Sequence, residues 1–300
     1  MKKVLIAGGS GLVGSRLTEI LLAEGYTVQH LSRNASNGLT PTYQWNVDKL
    51  QVDEKAFDGV DVVINLAGTG IADKAWTNAR MSDIINSRVN ATKTIYNFLT
   101  THTHQVSTYI GASAIGIYGN LEKENLSEVD SSNEKDFMVD CCKLWEEQHK
   151  AIATTGIRSV IIRIGIVLST KGGALKEMLK PFYFFTGAYF GDGSMVTSWI
   201  HIDDLCGQFI FSIEQEQTNG IYNGVAPLPV TNKTLTKAIA VIRKPIFIMP
   251  VPRFMLRLIL GKRSVVVFQS LHVSSLKIEQ AGFKFKFKEV SSALKNILLK

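Results

Sequence analysis

The sequence predicts an α/β chain built on a doubly wound parallel sheet with a smaller C-terminal substrate lobe, and three observations carry that expectation. Apolar runs of strand length alternate with helical periods over the first 170 residues, the pattern of strands joined by crossover helices. Several of these runs, among them 61–68 and 159–168, are mostly apolar, as strands covered on both faces are. The first run, Val4 to Ala7, breaks into glycines at 8, 11 and 14 and passes straight into a helical pattern.

That opening stretch, Gly8-Gly9-Ser10-Gly11-Leu12-Val13-Gly14, fits the phosphate grip of a dinucleotide-binding (Rossmann) fold. Gly8 allows the tight turn out of the strand, and Gly11 lets backbone approach a pyrophosphate. Gly14 lets the helix pack closely on the sheet, with the N–H groups of its first turn, around Ser10, Leu12 and Val13, facing the anion. Leu12, Val13, Leu17, Ile20 and Leu21 keep helical spacing until Gly25 ends the helix. The competing reading is a glycine-rich turn with no ligand.

Thr27 to Leu31 is then the second strand, parallel to the first. An NAD site places an acid at the end of this strand to bind the ribose 2′-hydroxyl, but no acidic residue occurs between Glu24 and Asp48. Ser32-Arg33 stands there instead, and a guanidinium suits a 2′-phosphate by charge and by bidentate hydrogen bonding. The expected cofactor is therefore NADP(H).

Tyr43 to Val47 reads as a third strand. Asp61 to Gly68 is a buried strand whose end, Asn65-Leu66-Ala67-Gly68, puts small and polar residues at the carboxyl edge where such sheets bind ligands. Met81 to Thr100 is a long helix. Val106 to Gly111 is a strand running on through Ser113 to Tyr118-Gly119, Asp136 to Ala153 a helix, and Ser159 to Leu168 a sixth core strand. After Leu168 the texture changes, with Gly172-Gly173, the aromatic run 182–185 and the loop from Gly187 to Gly193. The expected division is a cofactor-binding domain over 1–170, rejoined by about 195–230, and a smaller substrate and C-terminal lobe over 171–300, with 245–300 as its last segment.

Trp199 to Leu205 reads as a short strand entering a helix, with Asp203 or Asp204 as N-cap. In Gly282 to Lys288 phenylalanines and lysines alternate, which predicts a half-buried strand with Phe283, Phe285 and Phe287 inward. This pattern, rather than a nucleic-acid patch, accounts for its cations, so no nucleic-acid partner is expected although the net charge of +7 favours anionic ligands in general. The stretch from Pro245 to Leu260 is interrupted by Pro250, Pro252, Arg253 and Arg257, too broken for a membrane span. Its helical end, Phe254 to Leu260, is expected to be buried or at an interface, with contact to a membrane surface as the alternative. Cys141, Cys142 and Cys206 have no metal or redox spacing, no metal site is expected, and a reducing cytoplasm fits the chain.

These motifs together resemble the short-chain dehydrogenase/reductase superfamily in its extended, epimerase-like form. The glycine motif, Asn65 to Gly68 and Ser113 to Gly119 look like its cofactor, sheet-edge and serine-bearing segments. Gly172-Gly173-Ala174, Pro181-Phe182, Ser198 to Leu205, Asn223 to Pro227 and Val230 to Asn232 look like a subgroup often labelled cell-division inhibitors, with a small C-terminal domain of unknown function. The resemblance implies NADP(H), a small-molecule substrate, and a cofactor contact from Arg88, where the wider family commonly has asparagine.

It also implies a Tyr that moves the substrate proton, a Lys four residues on that holds the nicotinamide ribose, and a Ser on the reacting oxygen. Here the pattern is broken: no tyrosine has a lysine at the fourth position after it. Lys143 matches the lysine, Val139 falls at the tyrosine's place, and Ser113 matches the serine. Activity then needs another proton donor, and the candidates are Tyr118, close after Ser113, Cys142 or Asp140 beside Lys143, a bound water or a substrate group; His201 and Asp203-Asp204 read as structural. Two functions stay open, an NADP(H)-dependent oxidoreductase or epimerase-like enzyme and a non-catalytic NADPH-binding sensor.

Overall fold

In the computed structural model of the chain, residues 2–37 and 40–299 are described. The chain opens with β1 (Lys3–Ala7), α1 (Leu12–Ala23), β2 (Thr27–Ser32), β3 (Ser36–Asn37), β4 (Pro41–Asn46), β5 (Gln51–Val52) and β6 (Val62–Asn65). It continues through α2 (Asn78–Thr101), β7 (Thr108–Ala114), α3 (Phe137–Ala153) and β8 (Arg158–Ile164). Then come β9 (Ile166–Leu168), α4 (Gly173–Leu179), β10 (Thr186–Phe190), β11 (Val196–Thr197), β12 (Trp199–His201), α5 (Ile202–Glu214) and β13 (Gly220–Gly224). The last elements are β14 (Val230–Thr231), α6 (Asn232–Arg243), β15 (Phe247–Val251), α7 (Arg253–Leu260), α8 (Ser264–Phe268), α9 (Leu276–Gln280) and α10 (Val290–Leu298).

The main sheet runs β13-β8-β7-β6-β1-β2-β4-β3, with β5 on β4. Every pair from β13 to β4 is parallel, and only the β3 and β5 additions are antiparallel. Because β1 is central, the chain steps outward one way to β2 and the other way to β6. The crevice beyond its carboxyl end is thus the topological switch point where such sheets bind ligands.

The two-residue period of a strand sorts β1 between two layers. Val4 and Ile6 pack with Leu17, Leu21, Leu205 and Phe209 under α1 and α5. Leu5 and Ala7 pack with Ala91, Ile95 and Ile152 under α2 and α3. A third cluster joins Leu175 of α4, Trp199, Leu235 of α6 and Leu294 of α10 beside the main sheet.

Four expectations from the sequence need correction. The apolar run 159–168 is two strands: β8 stays in the main sheet, while β9 leaves it to pair with β12. Gly165 makes the break, since a Cβ there would lie 2.6 Å from the Ser198 carbonyl oxygen and 2.7 Å from Val225 Cγ1. The N-cap of α5 is His201, whose Nδ1 accepts the Asp203 N–H at 3.0 Å. Asp203 instead takes the Arg16 Nε–H at 2.7 Å, tying α5 to α1.

Residues 282–288 keep the alternating burial, with Phe285 inside and the lysines out, but form no strand. Backbone carbonyls of Glu279 and Ile278 take the N–H groups of Gly282 and Phe283 at 2.9 and 3.1 Å, and Asp204 accepts those of Lys286 and Phe287 at 2.8 and 3.0 Å, which relieves the need for a ladder. Finally, of the two placements expected for α7, buried or at an interface, burial does not hold. Leu256 alone in that helix is inside, while Phe254 and Leu258 stand open. No helix among the described residues is long and apolar enough to cross a membrane.

Candidate cofactor site

The turn between β1 and α1 is shaped by what its glycines lack. Gly8 has φ +84°, in the left-handed region, and a Cβ on it would lie 2.8 Å from the Leu66 carbonyl. A Cβ on Gly14 would be driven into the carbonyl oxygen of Gly8 and lie 2.8 Å from Gly9 Cα. Gly9 carries a constraint that motif reasoning missed: its Cβ would collide with the ring of His30, which is fixed by a 2.9 Å contact to Thr18 Oγ1. Burial keeps that imidazole below its ordinary pKa and therefore neutral.

Gly11 closes the turn with an N–H donated to Gly8 at 3.1 Å and is the N-cap of α1. No side chain caps this helix and its first turn holds no acid, so its leading N–H groups and partial positive charge are available to an anion. The missing Cβ atoms at Gly8 and Gly14, with this uncapped helix, form a cradle that fits a dinucleotide pyrophosphate. Leu12 packs toward Gly172 and Gly173, bringing the loop before α4 to the same edge.

At the end of β6, Asn65 is fully buried and used within the protein. Its Nδ2 donates to Thr92 Oγ1 and the Tyr109 hydroxyl, each at 3.1 Å, and its Oδ1 accepts the Ala67 N–H at 3.1 Å. Leu66 donates its N–H to the Ala7 carbonyl at 2.8 Å, carrying the strand pairing into the loop. Gly68 admits Arg88, whose Cζ would be 3.0 Å from a Cβ there.

Arg88 is buried, donates to the carbonyls of Thr69 at 3.1 Å and Ile84 at 2.9 Å, and lies 5.1 Å above the Trp145 ring. No carboxylate pairs with it among the described residues. Desolvation lowers its pKa, as expected of a cation taken from water without a counter-ion. On β2, Ser32 pairs with Gln44, and the exposed Arg33 follows with its carbonyl held by Gln44 Nε2 at 3.0 Å.

The three catalytic candidates are not brought together at this edge. Ser113 is 2% exposed and donates to Glu146 Oε1 at 2.7 Å. Glu146 is gripped by Arg163 through Nε at 2.8 Å and Nη2 at 2.9 Å. Arg163 Nη1 reaches the Tyr118 hydroxyl at 3.0 Å, and that hydroxyl donates to Asn223 Oδ1 at 2.7 Å. Tyr118 is fully enclosed, and burial pushes its phenol up to about 12. It is a member of a buried chain of hydrogen bonds, not an acid facing a cleft.

The inner face of α3 is set by Met138, Cys142, Glu146 and His149, at spacings of three and four. Lys143 lies one step round the helix and is exposed. Val139 and Cys142 are buried and Asp140 is exposed. Burial raises the Cys142 thiol, which holds it in the unreactive protonated form. Lys143→Met tests its match to the ribose-binding lysine: weaker NADPH binding with stability within ~0.5 kcal/mol is expected, checked by fluorescence titration and thermal melting, and unchanged affinity would show that the helix register is off.

Spacing motifs did not single out Glu146, Arg163 or His149. The available signals were an arginine inside the apolar run of β8 and a glutamate on the apolar stripe of α3, since a buried charge requires a partner. His149 Nε2 donates to the Ala112 carbonyl at 2.9 Å and its Nδ1 accepts the Tyr109 hydroxyl at 2.7 Å, and burial lowers its pKa to about 4. Among the described residues no group of three or more His, Cys, Asp or Glu could hold a metal.

Residues 4–223 match the model of the NAD dependent epimerase/dehydratase family, and residues 251–297 match that of a domain of unknown function, DUF1731. The chain is 33% identical over 298 residues to the epimerase family protein YfhF of Bacillus subtilis, covering 98% of this chain and 97% of that one. Among solved structures, the human epimerase family protein SDR39U1 (isoform 2), determined with NADPH, superposes with a TM-score of 0.88 at 25% identity over 99% of both chains. The Thermus thermophilus UDP-glucose 4-epimerase, in complex with NAD, shares the fold with a TM-score of 0.75 at 19% identity over 98% of both chains. The chain belongs to the NAD-dependent epimerase/dehydratase family of extended short-chain dehydrogenases/reductases, with a C-terminal DUF1731 segment.

Proposed function

We propose that the protein binds NADP(H) across the carboxyl edge of β1, β2 and β6. The observation that carries this reading is the turn at Gly8–Gly14, which leaves the N-terminus of α1 uncapped at the switch point of the sheet. The pyrophosphate is held by the N–H groups around Ser10, Gly11, Leu12 and Val13. The 2′-phosphate is held by Arg33, with Ser32 beside it. Leu66, Ala67 and Gly68 line the cofactor edge while Asn65 fixes their loop. Arg88 supplies positive charge behind that loop. The relative solved with NADPH supports NADP(H) over NAD(H).

Arg33→Asp tests the nucleotide choice. A charge-assisted hydrogen bond contributes about 1.5–3 kcal/mol, so NADPH affinity is expected to fall on the order of 10- to 100-fold while NADH affinity changes little. Equal losses for both nucleotides would sink the 2′-phosphate assignment.

A bound nicotinamide supplies hydride exchange, and the family supports a small polar or nucleotide-linked substrate for an oxidoreductase or epimerase-like reaction. With Ser113 and Tyr118 committed to Glu146, Arg163 and Asn223, the proton in that reaction comes from substrate or water. The same buried chain favours a second reading, a non-catalytic NADPH-binding sensor. Labelled NADPH offered with a panel of carbonyl compounds and nucleotide sugars separates the two. Stereospecific label transfer supports the enzyme; tight binding with no transfer supports the sensor.

A further inference from the structure

We propose that the face formed by residues 181–185, β15 and α7 docks on an anionic lipid bilayer. This face is apolar and open to an extent that a monomer in water does not need. Phe184, Ile246 and Leu258 are 78%, 80% and 85% exposed, and Phe185, Phe247 and Phe254 accompany them. The segments are joined through backbone: Ile246 donates its N–H to the Phe185 carbonyl at 2.8 Å, β15 runs parallel to β10, and α7 begins two residues after β15. With roughly 200 Å² per aromatic side chain, the aromatics here expose on the order of 600 Å². The aliphatic residues extend the patch beyond the few hundred Å² usual on a monomer.

The charge around it is predominantly positive, the nearby carboxylates being Glu177, paired with Lys180, and Asp192. From residue 217 to 278 the sequence holds nine lysines and arginines and no aspartate or glutamate. Nine exceeds the whole-chain net charge of +7, so the rest of the protein is net acidic and the basic character is local. Arg243, Lys244, Arg253, Arg257 and Lys262 are exposed on and beside the apolar segments. None is ion-paired with a carboxylate among the described residues. Arg253 and Arg257 lie over the Phe268 ring at 5.7 and 5.8 Å. Asp192, which feels Arg253, is engaged by the N–H and hydroxyl of Ser194.

An apolar, aromatic face rimmed by cations matches the interfacial layer of a membrane, where side chains enter the acyl boundary and cations meet lipid phosphates. A second copy of the chain offers the same cations and repels them. With eight residues, α7 lies on the surface and does not span it.

The test is co-sedimentation of the full chain with vesicles of phosphatidylcholine alone or of equal parts phosphatidylcholine and phosphatidylglycerol. Pelleting is expected with the anionic vesicles only, weakening as salt rises. Phe254→Asp with Leu258→Asp is expected to abolish it. Arg243→Gln with Lys244→Gln is expected to weaken it on the order of 20-fold, about fivefold per cation. Both pairs are exposed, so retained NADPH binding and melting temperature report an intact fold; if the aspartates unfold the chain, the glutamine pair carries the test. The proposal is overturned by absence of pelleting, by equal pelleting with phosphatidylcholine alone, or by aspartate variants that fold and pellet like the parent. A concentration-dependent dimer that these substitutions dissociate, without vesicle binding, overturns it in favour of a second copy.

Discussion

Glu146→Leu is expected to destabilise the protein by about 3–5 kcal/mol, the range for removing one partner of a buried ion pair. Glu146 and Arg163 are 2% and 5% exposed at their side chains, and Arg163 spends Nε and Nη2 on the two carboxylate oxygens. Leucine fills the volume but leaves the guanidinium uncompensated and strips the Ser113 hydroxyl of its acceptor. The loss spreads because Arg163 also bonds Tyr118 and the Glu128 carbonyl. Glu128 in turn accepts the Asn223 N–H, linking β8 to β13. Glu146→Leu combined with Arg163→Met removes both charges, and most of the stability is expected to return. Urea unfolding with an unchanged m-value measures this. A single variant no worse than a surface substitution would show that the chain of bonds is solvated.

The parts of the fold that were readable in advance are those set by local physics. Gly8 and Gly14 announce a close approach because a side chain at either would meet backbone, and backbone cannot move aside as a flexible side chain does. The runs that became β1, β6 and β7 are apolar because both faces of the sheet are covered. What escaped reading depends on partners distant in sequence. Gly165 looks like one more small residue in an apolar run until Ser198 and Val225 arrive beside it. The period of two in 282–288 holds in burial, yet the acceptor for the Lys286 and Phe287 N–H groups is the carboxylate of Asp204 rather than a neighbouring strand.

The catalytic register shows the same limit. Spacing along α3 places Lys143 correctly relative to Val139, but which side of a helix faces the sheet is decided by Met138, Cys142, Glu146 and His149 as a set. One step beyond that stripe Val139 is buried while Lys143 is exposed. Ser113 was correctly expected at a strand end; what its hydroxyl meets, Glu146 on a helix 33 residues later, is a fact of packing. A glycine turn between β1 and α1 is set by local backbone, whereas a hydrogen-bonded chain assembled from several elements is not.

Gly11→Ala and Gly14→Ala separate the two duties assigned to the glycine turn. At Gly14 the added Cβ would meet the Gly8 carbonyl and Gly9 Cα, both backbone, so α1 must shift. A stability loss of about 1–3 kcal/mol is expected, with NADPH binding lost along with the turn geometry. At Gly11 the added Cβ would find only the Gly8 carbonyl oxygen, at 3.3 Å, and φ is −75°, a value any residue adopts. That substitution is expected to leave stability within ~0.5 kcal/mol while placing a methyl group where backbone must approach the pyrophosphate. Weakening of NADPH on the order of 10-fold or more, without a change in melting temperature, is the expected result at Gly11. If Gly11→Ala binds NADPH as the parent does, Gly11 is a turn residue only and the phosphate does not lie against the start of α1. The contrast works because the fold demands a missing side chain at one of these positions and the ligand demands it at the other.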